Sequence, residues 1–506
     1  MMRRKNGPEG QTKDKLKKNQ LRSIMISRSE DEAMDMDLSM REEAAEAELS
    51  SIYARYAFKR RTRRNHLITA GSSIIIGICV ILTLFTASNI TSKPQGSTPT
   101  HVEFELDRSL FIPEYRADMF IYKHKKTQAP FIAFIPQDKF QDKVFGAGFR
   151  TLPTSNNGVA HIMEHSVLSG SKKYPAKDPF LHLLQGSLST FLNAMTYNDR
   201  TVFPIASRNK KDFNNLMSVY LDAVFHPKCI TDEGWWVLKQ EGWRYELADG
   251  TDYDSDKETG VLEVKGVVYS EMKGVYSNPE SVLSRQTDML LYPDNPYHFD
   301  SGGNPPEISS LTFDEFKDFY DRHYHPTNSK LFVSGTVDDA EDAMTLIHSS
   351  LKGLDTNKNA AKNTKVKFQK KKFNHHLYHS QPYGVGKITD EGQHMFCITW
   401  LLNDDFLSEK YELALYVLDY LLIGTKSAPL QRELLDNGFG TDVIGYGLDV
   451  GLLQTSFAVG MKGVKGNDIV ELEAFILELL EDIAENGFSE EDLDAAINSI
   501  EFQVRL

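Results

Sequence analysis

The chain has 506 residues, with 57 lysines and arginines against 71 aspartates and glutamates, a formal net charge of -14 at pH 7. An apolar share of 41% with 25% charged residues excludes a wholly disordered chain and a membrane protein of many spans. The acidic balance argues against nucleic acid as a partner, because phosphate binding needs a basic face. Three cysteines without C-x-x-C spacing exclude a disulfide framework and a cysteine zinc site.

The first 66 residues predict a disordered cytoplasmic tail, because a basic block and then an acidic block replace any apolar pattern. Residues 67–91 carry no charged side chain and are long enough to cross a bilayer once as a helix. The basic cluster before them predicts a single-pass membrane protein, with a short stalk at 92–103 and the rest of the chain across the membrane from the N-terminus. The alternatives are a buried core helix and a mitochondrial or plastid location, although a transit peptide should be poor in acids.

The region from residue 104 onward has the mixed pattern of an α+β protein built of α/β layers. We expect a first domain at 104–352, a Lys/Asn-rich linker at 353–376 and a second domain at 377–506. A strand followed by a long helix closes both domains, which favours a duplicated unit. The alternating and helix-period stretches predict strands at 130–137, 144–152, 394–402 and 454–464, and helices at 213–225, 313–323, 411–423, 469–485 and from 490 onward.

The sequence His161-Ile-Met-Glu-His165 carries the first chemical signal. On a helix His161, Glu164 and His165 share one face. Two imidazoles one turn apart can bind one Zn²⁺, and a carboxylate beside them can take a proton from water. This H-x-x-E-H order reverses the commoner H-E-x-x-H zinc-protease motif. A solvated polar helix start is the alternative.

Glu271 is the candidate third metal ligand. A helical reading of residues 261–276 places it on an apolar stripe, where an ionised carboxylate is costly unless it is paired or bound to a metal. The alternative is a glutamate at the edge of the stripe paired with a lysine. The stripe consists of Val261, Val264, Val268, Met272 and Val275.

Residues 104–506 resemble the N-terminal half of the presequence-protease group of the pitrilysin-like inverted-zinc metallopeptidases, a family that includes falcilysin and insulysin. The resemblance runs through VFGAGFRTLPTSNNGVAHIMEHSVLSGSKKYPAKDPF, GSLSTFLNAMTYNDRTVFPIAS, KGVVYSEMKGVYSNPESVL and GTKSAPLQRELLDNGFG. It implies two pitrilysin-like αβ sandwich domains in tandem, the first catalytic and the second non-catalytic. It also implies a zinc endopeptidase that degrades unfolded peptides, including cleaved targeting peptides.

The resemblance also implies roles for single residues. His161, His165 and Glu271 would hold one Zn²⁺ per chain, and Glu164 would be the general base. Asn193 and Ala194 would lie on a strand that pairs with the substrate backbone. This strand belongs to a hairpin that the residues themselves predict at 186–207, with its turn near residue 198. The alternative is that the hairpin is only structural and Asn193 caps a turn. Glu241 could hydrogen-bond to a metal ligand without touching the metal. The alternative is a surface residue, since a Gln-Glu pair at a helix end is more often exposed.

The chain differs from the resembled enzymes in its length. Their chamber has two halves of similar size, and only the first can be matched here, so we expect a truncated chain and a C-terminal half or partner chain that closes the chamber. The competing interpretation is an inactive structural or peptide-binding subunit with the same fold.

Overall fold

The structure, a computed structural model, describes residues 93–505 apart from 114, 138–141, 177–178, 249–260, 355–361, 363 and 385–393. The predicted tail at 1–66 and the predicted membrane segment at 67–91 lie outside these residues. Within the described part of the chain, no helix combines the length and the apolar character needed to span a membrane. The predicted stalk lies on the globular region, since Gln95 and Gly96 donate backbone N–H groups to Asp118.

An eight-stranded sheet forms the centre of the first part of the chain. Its neighbours run in the order β1-β2-β3-β10-β4-β7-β5, and the short β6 pairs with β7. All pairs are antiparallel except that of β3 with β10. The strands are β1 Phe104–Ile112, β2 Ala117–His124, β3 Pro130–Pro136, β4 Lys143–Arg150, β5 Ser189–Leu192, β6 Met195–Thr196, β7 Arg200–Ser207 and β10 Ser329–Ser334.

Helices cover this sheet, and a two-stranded ribbon lies beside it. The ribbon consists of β8 Arg244–Leu247 and β9 Leu262–Lys265. The helices are α1 Val159–Val167, α2 Pro179–Gly186, α3 Lys210–Phe225, α4 Trp235–Glu241, α5 Val267–Val275, α6 Pro279–Leu291, α7 Pro305–Ile308, α8 Phe313–His323 and α9 Val337–Leu351.

One large apolar core joins the sheet to helices α1, α3, α8 and α9. Phe131, Phe145 and Phe203 supply fully buried rings from the sheet, and Phe213 and Phe316 supply them from the helices. Each such ring contributes about 1.5–3 kcal/mol by leaving water. Caps set the helix starts: Asn209 accepts backbone N–H groups at the start of α3, and Thr312 and Glu315 form a capping box on α8.

A three-stranded antiparallel sheet with the order β11-β13-β12 forms the second part. Leu430, Leu434 and Ile476 are buried against Val459 and Met461 of this sheet. The strands and helices are β11 His394–Leu401, α10 Glu409–Ile423, α11 Pro429–Asp436, β12 Asp442–Asp449, β13 Ser456–Val464, α12 Ile469–Asn486 and α13 Glu490–Arg505.

These elements agree with the α+β prediction, and, apart from the helix expected over residues 261–276, each predicted strand and helix begins within three residues of its expected position. The described residues of the predicted linker at 353–376 form neither strand nor long helix. The division into domains at 104–352 and 377–506 stays a prediction.

One local prediction is wrong. Residues 262–265 form strand β9, and the helix begins only at Val267, because Gly266 has an extended backbone whose Cα lies against Gly242. Only two residues of the predicted apolar stripe are buried in the helix, Val268 and Met272. Val275 of the stripe is exposed, and so is the neighbouring Val267. The side chain of Glu271 is 49% exposed, so the burial argument for it fails and only its geometry counts.

A cavity of about 290 Å³ lies between α6 and the second sheet. Asp288 and Glu280 of α6 line it, together with Cys397 and Asp449 of the sheet. Burial raises the pKa of Asp288 to about 7, and the charges of Asp449 and Asp300 add to the shift. The folded chain therefore keeps this proton at pH values where the unfolded chain has lost it. The contribution of the protonated Asp288 carboxyl to the free energy of unfolding is complete below about pH 4 and is lost as the pH rises through about 7.

We expect Asp288→Asn, which keeps the shape and removes the charge, to raise the melting temperature more at pH 8 than at pH 5. Thermal unfolding measured across this range checks it, with the exposed Asp482→Asn as the matched control. Parallel pH profiles for Asp288→Asn and the parent chain would contradict the assignment.

Candidate metal centre

Helix α1 begins at a point where two backbone segments touch. Gly158 caps the helix in the left-handed conformation, with φ 69°, and a Cβ there would lie 2.9 Å from the carbonyl oxygen of Gly302. Glycine is needed at position 158 for both reasons. The close approach places the 302–303 backbone beside the first turn of α1, where His161 lies.

His161, His165 and Glu271 converge on one point. Nε2 of His161 and Nε2 of His165 each lie 3.7 Å from Oε2 of Glu271. The two imidazole rings are 5.0 Å apart, centre to centre. Ligand atoms around a four-coordinate zinc with bonds of about 2.0–2.1 Å are about 3.3 Å apart, so a small inward shift of Glu271 would complete a three-ligand site.

In both histidines the Nδ1 atom faces an oxygen atom of the protein. Nδ1 of His161 lies 3.2 Å from the Gly302 carbonyl oxygen, to which it can donate. Nδ1 of His165 lies 3.5 Å from Oε2 of Glu241, a carboxylate that is itself buried. These acceptors favour the tautomer with the proton on Nδ1. The lone pair of each Nε2 is then directed at Glu271, as metal binding requires.

The charges around His165 favour a cation at this point. Burial lowers the pKa of its imidazole, but the hydrogen bond with Glu241 and the charges of Glu164 and Glu271 outweigh burial, and the net pKa is raised. Three carboxylates therefore surround one imidazole. A divalent cation bound by the histidines would meet the same negative field.

Glu164 lies on the inner side of the same helix and is 7% exposed. Its Oε2 accepts a hydrogen bond of 2.7 Å from the hydroxyl of Thr196 on β6. One carboxylate oxygen is thus fixed by a side chain of the sheet. Thr196 was not singled out from the sequence, because nothing in its local pattern distinguishes it from other strand threonines.

A cleft of about 800 Å³ opens over these residues. His161, Glu164, His165 and Glu271 line it, and so do Glu241, Asn193, Ala194 and Thr196. All seven sequence-predicted site residues therefore border one cavity. Other lining residues that the sequence did not indicate include Phe180, Met195, Tyr197 and Gln240.

Asn193 and Ala194 lie between β5 and β6, at the end of the sheet order, where no further strand pairs among the described residues. The backbone N–H of Asn193 bonds Pro204 of β7, and its carbonyl oxygen accepts from Tyr220 at 3.3 Å. Burial, with the charge of Glu164, raises the pKa of Tyr220, so this hydroxyl stays protonated as a donor. The hairpin prediction, with a turn between β6 and β7, is confirmed.

Two family models match the chain. Residues 144–234 match the model described as "Insulinase (Peptidase family M16)", and residues 310–500 match "Peptidase M16 inactive domain". His161, Glu164 and His165 lie inside the first match, whereas Glu271 lies between the two.

The chain is also similar to curated proteins. It is 42% identical over 403 residues to presequence protease 1, chloroplastic/mitochondrial, of Arabidopsis thaliana, covering 79% of this chain and 36% of that protein. It is 40% identical over 385 residues to Protein HypA of Clostridium perfringens, covering 76% and 38%. Further matches are named mitochondrial presequence proteases. The chain spans a little over a third of the length of these relatives.

The prediction of a single-pass membrane protein is wrong. No helix within the described ranges is fit to span a membrane, and the segment on which the prediction rested, residues 67–91, lies outside them. The presequence proteases that match are named for mitochondria or chloroplasts, which agrees with the alternative and not with a membrane anchor.

The fold agrees with these matches. A protease from Helicobacter pylori of known structure superposes with a TM-score of 0.52 at 15% identity, covering 76% of this chain and 85% of that one. At this identity the likeness shows the fold alone. The two family models and the 42% identity over 403 residues to a presequence protease show that the chain belongs to the M16 family of peptidases.

Proposed function

We propose that this chain forms the zinc-binding half of a metallopeptidase that hydrolyses unfolded peptides. The observation that carries the proposal is the convergence of two imidazole Nε2 atoms on Glu271, with the buried Glu164 on the same helix and an open strand edge beside them. A purely structural cluster of ion pairs would not require a neighbouring cleft large enough for a peptide.

The donor set fits zinc. Two neutral imidazoles and one carboxylate, with an open side toward the cleft, form the ligand pattern of catalytic zinc sites. His161, His165 and Glu271 would hold the ion. When bound, Zn²⁺ supplies a Lewis acid that polarises a peptide carbonyl and lowers the pKa of water.

The remaining steps belong to the residues of the chain. Glu164 accepts the proton of the attacking water and gives it to the leaving amine. The Thr196 hydroxyl holds one oxygen of this carboxylate, so the other oxygen is free to face the water. The Gly302 carbonyl and Glu241 orient the two imidazoles.

The substrate is best described as an extended peptide. The edge at Asn193 and Ala194 borders the cleft, and a peptide that adds to this edge is held by main-chain hydrogen bonds with little sequence preference. Pairing of this kind requires an unfolded chain. The relatives named as presequence proteases support cleaved targeting peptides, which are amphipathic and rich in arginine, as one substrate class.

A second candidate is a subunit that binds peptides without cutting them. The match of residues 310–500 to a model described as an inactive domain favours it. Under this alternative the unsubstituted chain binds an unstructured peptide at the same edge, and zinc addition produces no cleavage products.

Glu164→Gln tests the proposal. Glutamine keeps the size and loses the basic oxygen, so peptide cleavage should fall by about 10²–10⁴-fold while zinc binding persists. Mass spectrometry of an unstructured arginine-rich peptide gives the rate, and zinc analysis of the purified chain gives the stoichiometry. The exposed Glu105→Gln is the matched control, and full turnover by Glu164→Gln would refute the role of this carboxylate.

Thr196→Val tests the position of the base. Valine keeps the shape of threonine but cannot donate to Glu164, so we expect kcat to fall about ten- to a hundredfold, the effect of a hydrogen bond to a charged group. KM should change little, and Thr196→Ser should restore most of the rate. Thr345→Val on α9 controls for the substitution, and an unchanged kcat in Thr196→Val would rule out this positioning role.

A further inference from the structure

A second group of metal-ligating side chains lies at the other edge of the eight-stranded sheet. Glu103 precedes β1, His124 is the last residue of β2, and His348 lies in the last turn of α9. None of them borders the cleft. β2 and β5 are five strand steps apart in the sheet order, which corresponds to about 24 Å at about 4.8 Å per step.

The three side chains are close enough to share one ion. Nε2 of His124 lies 3.0 Å from Nδ1 of His348. A carboxylate oxygen of Glu103 and one nitrogen of each imidazole all lie within 4.8 Å of one another. Among the described residues, this group and the one in the cleft are the two that reach this criterion.

His124 is fixed in place. The ring is 1% exposed, and its Nδ1 is 2.8 Å from the Thr127 hydroxyl and 3.2 Å from the Thr127 backbone N–H. The other ring nitrogen is thereby directed at His348. Nδ1 accepts the Thr127 backbone N–H here, whereas the rear nitrogen of a metal-bound imidazole donates, so metal binding requires the other tautomer of His124.

The group also contains a negative charge. Glu103 contributes a carboxylate oxygen beside the two imidazoles, and a carboxylate offsets the charge of a divalent ion.

We propose that Glu103, His124 and His348 bind a divalent transition-metal ion of the zinc type, separate from the ion of the cleft. Two imidazoles and one carboxylate suit Zn²⁺ and its late first-row neighbours better than Mg²⁺ or Ca²⁺. No proton is released from the pair: the proton on Nε2 of His124 moves to Nδ1, where the Thr127 hydroxyl can accept it, and the Thr127 backbone N–H gives up Nδ1 as its acceptor.

An ion at this point would join distant parts of the chain. It would tie the β1–β2 edge to the end of α9, and the segment before β1 is already bound to that helix through Thr100 and Glu341. A crosslink between residues so far apart in sequence stabilises the folded chain, because metal binding free energy is added to that of folding.

The test counts zinc in the full chain with the cleft site removed. His161→Ala should abolish tight binding in the cleft and leave one equivalent of Zn²⁺, measured by equilibrium dialysis after chelator treatment. Adding His348→Ala should remove that equivalent and the rise in melting temperature that zinc produces. Adding His379→Ala, an exposed histidine outside both groups, should change neither.

Equal zinc content in the His161→Ala chain with and without His348→Ala would overturn the proposal, as would no bound zinc in His161→Ala itself. Should His348→Ala fail to fold, Glu103→Gln replaces it, since this residue is only partly buried and the amide is a poor zinc ligand. The same loss of one equivalent is expected, and its retention in Glu103→Gln would equally overturn the site.

Discussion

The close approach of α1 and α5 is the constraint on which the candidate centre depends. Helix spacing alone brings His161 and His165 together, but a third ligand must come from elsewhere, and Glu271 arrives on a helix that starts only after strand β9 has ended. Gly158 and Gly302 let the backbones come close enough for the Gly302 carbonyl to fix His161. Any change that separates these helices would remove the ligand set while leaving the sheet intact.

Local patterns of the sequence predicted much of the fold. Strands β3, β4, β11 and β13 and helices α3, α8, α10 and α12 have strong periods of two or 3.6, and the structure places them as expected. The H-x-x-E-H spacing likewise depends only on helix geometry, so the relation of the two histidines could be read from five residues.

Relations across the fold could not be read in this way. The apolar stripe on which the sequence places Glu271 does not form, because residues 262–265 are a strand and the helix after Gly266 exposes this side chain. Thr196 and Gly302 touch the site through tertiary contacts with no local signal. The membrane prediction used the length of the uncharged run at 67–91 and the basic cluster before it, and it is contradicted by relatives named for organelles.

The eight-stranded sheet separates the two proposed metal sites. One edge, at β5 and β6, carries the cleft and an open strand, whereas the other edge, at β1 and β2, carries the second group of histidines. The rigid central sheet positions one side chain at each of these sites. Thr196 on β6 contacts Glu164, and His124 on β2 contacts His348. Precise placement of this kind is easier on strands than on loops.

The most direct measurement of the central claim is anomalous X-ray diffraction at the zinc edge from crystals of the zinc-loaded chain. The account predicts a peak between Nε2 of His161, Nε2 of His165 and the carboxylate of Glu271. A well-ordered cleft with no anomalous peak at this point, or a zinc ion there held without Glu271, would contradict it.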